Sequence, residues 1–145
     1  MIKTFRGLLG DGAQERIRLE TIDGKTGYRV KKFELIGRTP GSMTIESVVK
    51  IYSIKQTTID GMVDFSEQTL LAAGYWSDNS NVVYPSYETI VFDNITFNQD
   101  IFVTAFDASA GEFINYYLEL ETISLDDLEA TAVILKNFRN TNTVV

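Results

Sequence analysis

Cysteine and histidine are both missing from these 145 residues, and only two prolines occur. Without cysteine there is no disulfide, no thiol nucleophile and no cysteine-ligated zinc. Without histidine the Ser-His-Asp triad and any imidazole base drop out. Long apolar runs are missing as well. Nothing approaches the roughly 20 apolar residues of a membrane-spanning helix. Arg6, Asp11, Glu15, Arg16 and Arg18 break up the start of the chain, so the apolar core of an export signal, about 7–15 residues, is not visible. The absence of cysteine fits a reducing compartment.

One charge sign is missing over a long stretch. Residues 56–135 contain no lysine or arginine and 14 acids, whereas residues 1–55 contain 11 basic groups and six acids. The whole chain carries a net charge of −7. Two readings fit this polarity. Either the molecule docks basic side to acidic side, on a partner or on copies of itself, or the two segments pair within one sheet and neutralise each other. Nucleic-acid binding is not expected, because the basic residues alternate with Glu15, Glu20, Asp23 and Glu34 and the net charge repels phosphate.

What is present is ordinary globular material: 44% hydrophobic and 23% charged residues. The length suits one domain, 1–145, with no internal repeat or linker. Strand signals dominate. Residues 14–22 (QERIRLETI) alternate, Asp23-Gly24 supplies a turn, and TGYRVKKFELIG reads as the return strand of a hairpin. Alternation slips at Lys31-Lys32, the mark of a bulge or of a change of face. Residues 43–54 are rich in β-branched side chains, and 65–76 fit a strand or a short helix. Further strands are expected at 87–93, 95–97, 100–107 and 113–123, the last with Ile114, Tyr116, Leu118 and Leu120 on one face.

One helix follows. Ser124 and Asp127 have capping-box spacing. Acids lie near its start and Lys136 and Arg139 near its end, complementing the dipole. Leu125, Leu128, Ala132, Leu135 and Phe138 form a stripe expected to pack on the sheet. The expected fold is mainly β: an antiparallel β-sandwich or jelly-roll-like domain with one C-terminal helix on the sheet. Residues 1–12 read as an N-terminal arm and 140–145 as a loose tail.

Catalytic chemistry would fall to carboxylates. Glu119 and Glu121 share a strand face, but that spacing is also what solvent exposure gives. Asp78, Asn79 and Asn81, or Asp93, Asn94, Asn98 and Asp100, offer oxygen ligands without EF-hand spacing and read as Asx turns. No enzyme activity, cofactor or metal is expected. Tyr75, Trp76, Tyr84 and Tyr87 gather around a polar loop. They fit a loop tucked on its own core, a protein interface or a sugar platform. Phe5, Leu8 and Leu9 on the arm complete the candidate interface.

The run 90–140 carries Phe97-Asn98-Gln99-Asp100-Ile101, then Asn115-Tyr116-Tyr117-Leu118-Glu119-Leu120-Glu121, then a helix with Ala130-Thr131 and Leu135-Lys136-Asn137. It resembles the C-terminal part of small virion structural proteins of tailed bacteriophages, marine ones in particular, over about a third of the chain. The resemblance implies a non-enzymatic capsid decoration or head–tail or tail accessory protein. It would be assembled in the host cytoplasm and located in the virion. Its partners would be capsid, portal or tail subunits and copies of itself, with no nucleic acid and no membrane. The alternative from the aromatic cluster is a carbohydrate-binding β-sandwich module, attached to a phage particle.

Overall fold

Period-two alternation runs through most of the chain and sets the architecture. In the computed structural model, which describes residues 1–79, 86–109 and 111–143, eight strands and one helix form. They are β1 (Ile2–Leu9), β2 (Gln14–Ile17), β3 (Thr26–Gly37), β4 (Ile45–Tyr52), β5 (Leu70–Asp78), β6 (Tyr87–Phe92), β7 (Ile101–Asp107), β8 (Ile114–Ser124) and α1 (Asp127–Thr143). Two antiparallel sheets result, ordered β1-β8-β3 and β2-β7-β4-β5-β6.

The pairings β1·β8, β2·β7 and β4·β5 are nested. They are those of a chain folded back on its midpoint and then rolled up, with β7 returning beside β4 in Greek-key order. This is the jelly-roll form of the sandwich. The one nested pair that does not form a ladder is β3 with β6. There the Glu88 carboxylate accepts the Leu35 N–H at 2.9 Å, and β6 hydrogen-bonds to β5 instead.

The wrap also settles the charge asymmetry. The strands of the basic segment, β1 to β4, pair with β5, β7 and β8 of the acidic one. Arg29 lies opposite Glu121 and Lys32 opposite Glu119. Among the described residues three ion pairs join the segments directly: Arg16–Asp100 at 2.6 Å, Lys25–Asp127 at 2.8 Å and Lys50–Asp60 at 3.0 Å.

The core lies between the sheets. Ile114, Tyr116, Leu118 and Leu120 of β8 face Ile45, Val49 and Ile51 of β4 and Ile101 and Val103 of β7, all buried. Each such aliphatic side chain contributes about 1.5–3 kcal/mol by leaving water. The bulge in β3 falls between Val30 and Lys32, where the alternation slips. Glycine 37 is required by close approach: a β-carbon there would lie 2.4 Å from the Trp76 ring.

Several sequence-based expectations change. Asp23-Gly24 is a turn, with Gly24 at φ +66°, but not a hairpin. β2 and β3 belong to different sheets, because Asp100 diverts the chain after β2, accepting N–H groups from Leu19 at 2.7 Å and Glu20 at 2.9 Å. Residues 1–12 are not an arm: Ile2 to Leu9 pair with β8 from Glu121 to Ile114. Of the expected loose tail, residues 140–143 continue α1, and 144–145 lie outside the described residues. In the segment 65–76 the strand reading holds from Leu70 onward, and 95–97 contributes only a bridge from Phe97 to Tyr28.

The helix cap moves two residues. Ser124 still belongs to β8, and the Leu125 N–H donates to Lys25 O at 2.8 Å. Asp126 therefore caps α1, accepting the Glu129 N–H at 2.8 Å. Helix α1 rests on the end of the sandwich through Ala130, with Val133 and Asn137 half-buried. The Asn98 amide donates to Gly24 O at 2.9 Å and to Ala130 O at 3.4 Å. The stripe expected to face the sheet points outward instead: Leu128, Leu135 and Phe138 are 80%, 60% and 66% exposed. Of that stripe only Leu125 is buried, and it precedes the helix, so it does not set the helix phase. Among the described residues no helix is long and apolar enough to cross a membrane.

Candidate interaction surface

Alternation divides the aromatic cluster. Tyr75 and Trp76 are neighbours on β5 and therefore point to opposite faces. Trp76 turns inward, 4% exposed, against Gly37. The expectation that it anchors an interface is corrected: it is a core residue. Tyr75 turns outward and donates its hydroxyl to Glu46 Oε1 at 3.0 Å. Burial, then the Glu46 carboxylate, pushes the Tyr75 phenol up from its ordinary value, so it remains a donor at neutral pH. β6 brings Tyr87 diagonally beside it, since Ser77 pairs with Tyr87 and Tyr75 with Thr89. The two rings lie 6.2 Å apart, tilted by 60°. Tyr84 lies outside the described residues.

The same rule divides the N-terminal candidates. Leu9 is buried and Phe5 is packed against the core, while Leu8 faces out. Register places Leu8 in a row with Asn115 and Ile36, and Arg6 in the next row with Tyr117 and Glu34. These rows, with Glu88 at one rim, line a groove of about 740 Å³ on the outer face of the three-stranded sheet. The Tyr117 hydroxyl donates to Glu119 Oε2 at 2.8 Å, and that bond chiefly raises its pKa. Arg6, Ile36, Asn115 and Tyr117 are not among the candidate interface residues read from sequence. The clean alternation of β8 marked the outward side of Asn115 and Tyr117, but only the register brings Arg6 and Ile36 to them.

The outer face of the five-stranded sheet is treated differently. The β4–β5 connection, residues 53–69, folds back over it. The Lys50 ammonium donates to Asp60 Oδ1 at 3.0 Å and Met62 O at 2.5 Å. Mainly through the Lys50 hydrogen bond, the Asp60 carboxyl is held below its ordinary value. The loop leaves Met62 and Phe65 at its own surface.

Most candidate carboxylates serve as acceptors for the fold. Asp100 takes Arg16 Nε at 2.7 Å besides the two backbone N–H groups. Burial raises its pKa, yet these donors together hold it below the ordinary value. Asp107 accepts N–H groups of Glu46, Ser109 and Glu112, and Asp78 that of Gly41. Asn98 is committed to Gly24 and Ala130. Among the described residues no group of three or more acidic side chains is placed to hold a metal ion.

No family model, curated protein or solved structure matches the chain.

Proposed function

We propose that this protein is a non-enzymatic structural component of a tailed-phage virion, a capsid decoration or head–tail or tail accessory protein, that acts by packing on neighbouring subunits. The observation that carries the reading is the outward face of α1. Leu128, Leu135 and Phe138 stand in solvent on a helix whose opposite face already rests on the sandwich. A row of large apolar side chains on a well-packed domain marks a surface made to be covered. The jelly roll supports the reading at the level of fold, since it recurs in capsid and lectin domains. Capsid, portal or tail subunits and further copies are the proposed partners, and the virion, assembled in the host cytoplasm, is the proposed location.

The test is particle association. Gradient-purified particles from infected cells should contain the chain at a fixed ratio to the major capsid subunit. Its recovery solely from the particle-free fraction would sink the reading.

The Tyr75–Tyr87 pair favours a second reading, carbohydrate binding on the outer face of β5 and β6. Trp76 is a poor reporter for it, being enclosed. A glycan screen with Tyr87→Ala as control decides it: the reading requires binding that the variant loses.

A further inference from the structure

We propose that β1 pairs edge to edge with β1 of a second copy, antiparallel about a two-fold axis normal to the sheet, so that two three-stranded sheets join into one. The inference rests on the assembly reading for its setting and on the strand ladder for its geometry. Met1 O accepts the Thr122 N–H at 2.9 Å. With the register of β1 on β8, that bond fixes the alternation. Lys3, Phe5, Gly7 and Leu9 turn their main-chain groups to β8, while Ile2, Thr4, Arg6 and Leu8 turn theirs away. Among the described residues these outward N–H and C=O groups meet no partner. Such a row is a template for a further strand. The opposite end of the same sheet is closed: Tyr28 exchanges main-chain bonds with Phe97 at 2.7 and 3.0 Å, and Glu88 takes the Leu35 N–H.

Charge selects both the occupant and the register. With Phe5 on the axis, Ile2 faces the partner's Leu8 and Thr4 the partner's Arg6, each pair exchanging two hydrogen bonds. Ile2 and Leu8, 45% and 44% exposed, then cover one another on the outer face. On the inner face Phe5 meets the partner's Phe5, and Lys3 meets the partner's Gly7 with Cα atoms about 4.5 Å apart. The side-chain space of Gly7 is already held by a carboxylate: a β-carbon there would lie 3.0 Å from Glu15 Oε2. Glu15 reaches it from β2, with Oε1 accepting the Tyr116 hydroxyl at 2.9 Å. Among the described residues neither Lys3 nor Glu15 forms an ion pair, and the Lys3 ammonium stands 5.8 Å from the centre of the Tyr28 ring. Pairing gives each Lys3 the partner's Glu15, twice by symmetry. An inward-pointing lysine ordinarily guards an edge against pairing. Here it is matched by an edge that carries a carboxylate over a glycine, and this chain's own β1 is such an edge. Sliding the strands by two residues one way sets Arg6 against the partner's Arg6, and the other way sets Lys3 against the partner's Phe5. An isologous contact of this kind closes on itself.

Sedimentation velocity on the full chain, from micromolar to millimolar, should show the 16.3-kDa species doubling in mass. Over the same range the Thr4 and Arg6 amide protons should exchange with deuterium several-fold more slowly. Thr4→Pro removes an outward N–H that β1 does not use in its own ladder. Its melt should stay near that of the wild type while association weakens roughly tenfold or more. Lys3→Glu and Glu15→Lys should each self-associate several-fold more weakly than the wild type. An equimolar mixture of the two should form a mixed dimer at wild-type strength, which nonspecific stickiness cannot do. A wild-type chain that stays monomeric throughout overturns the proposal. So does association that Thr4→Pro leaves intact, or a mixture of the two folded charge variants that fails to pair. If Glu15→Lys does not fold, having lost the Tyr116 bond, Thr4→Pro and the exchange rates still decide. The two readings fail separately. Particles carrying a chain that is monomeric in solution remove this inference alone, whereas an edge-paired dimer absent from particles removes the virion reading alone.

Discussion

On β4, at the centre of the five-stranded sheet, outward side chains are nearly as enclosed as the core: Val48, Lys50 and Tyr52 are 9%, 3% and 8% exposed. On the three-stranded sheet the outward Leu8 and Ile36 are 44% and 54% exposed. Both sheets alternate in the same way, and both bury their inner faces against each other. The difference comes from the connections. The β4–β5 connection spans 17 residues (53–69) and can fold over its own sheet, where Lys50 fastens it. The three-stranded sheet has no connection of its own, because its strands are joined only through the other sheet. Its outer face is therefore left as a groove. The centre of one sheet is covered by the chain itself, and the other sheet is left open to whatever the molecule meets.

The largest effect should appear where the sheets do not differ. Leu118 is fully buried on β8, the central strand of the three-stranded sheet. Leu118→Ala should cost about 2–5 kcal/mol, lost transfer energy plus a cavity. Urea denaturation reads it, and a loss below about 1 kcal/mol would mean that this sheet is not part of the common core.

The fastening of the loop comes next, and it is asymmetric. Asp60→Ala leaves a buried ammonium with Met62 O as its remaining anchor. Lys50→Met removes the buried charge and keeps most of the volume, while Asp60, half-exposed, returns to water. Asp60→Ala should therefore be the more destabilising of the two, by about 1–3 kcal/mol against the wild type. The pH dependence follows from the same bond. The folded pKa of Asp60 lies below its unfolded value of 3.8. The stabilisation is thus complete above 3.8 and is lost as pH falls through the folded value. Thermal melts between neutral and acid pH should show Lys50→Met losing less stability on acidification than the wild type. Parallel curves would show that the loop is held elsewhere.

The covered sheet was harder to read from sequence than the open one, for a physical reason. Alternation on β8 and the slip at Lys31-Lys32 report directly which side each residue takes, and both are seen in the structure. On β4, inward and outward residues are buried alike, so period two vanishes from the burial even though the backbone keeps it. Lys50 gives no local sign that a loop ten residues later will enclose it. Tyr75 and Trp76 show the opposite case. Their adjacency suggested one cluster, although a strand must send neighbours to opposite faces. Helix α1 failed differently: its stripe was real, but the choice between sheet and solvent depends on where Leu125 and Asn98 anchor the first turns, which no helical period encodes. The turn at Asp23-Gly24 was legible, whereas its partner strand was not, because β2 is claimed by β7 through Asp100.

The smallest effect should come from the open face itself. Leu8→Ser and Ile36→Thr each remove an apolar group that already stands in water, and the threonine keeps the β-branch that suits a strand. Each should shift stability by no more than about 0.5 kcal/mol. Urea midpoints close to the wild-type value would confirm that nothing in the chain covers this groove. A loss above about 1 kcal/mol from either substitution would mean that the groove is closed in solution, and the contrast between the two sheets would then fail. With stability unchanged, any defect these substitutions cause in particle association belongs to the surface and not to the fold.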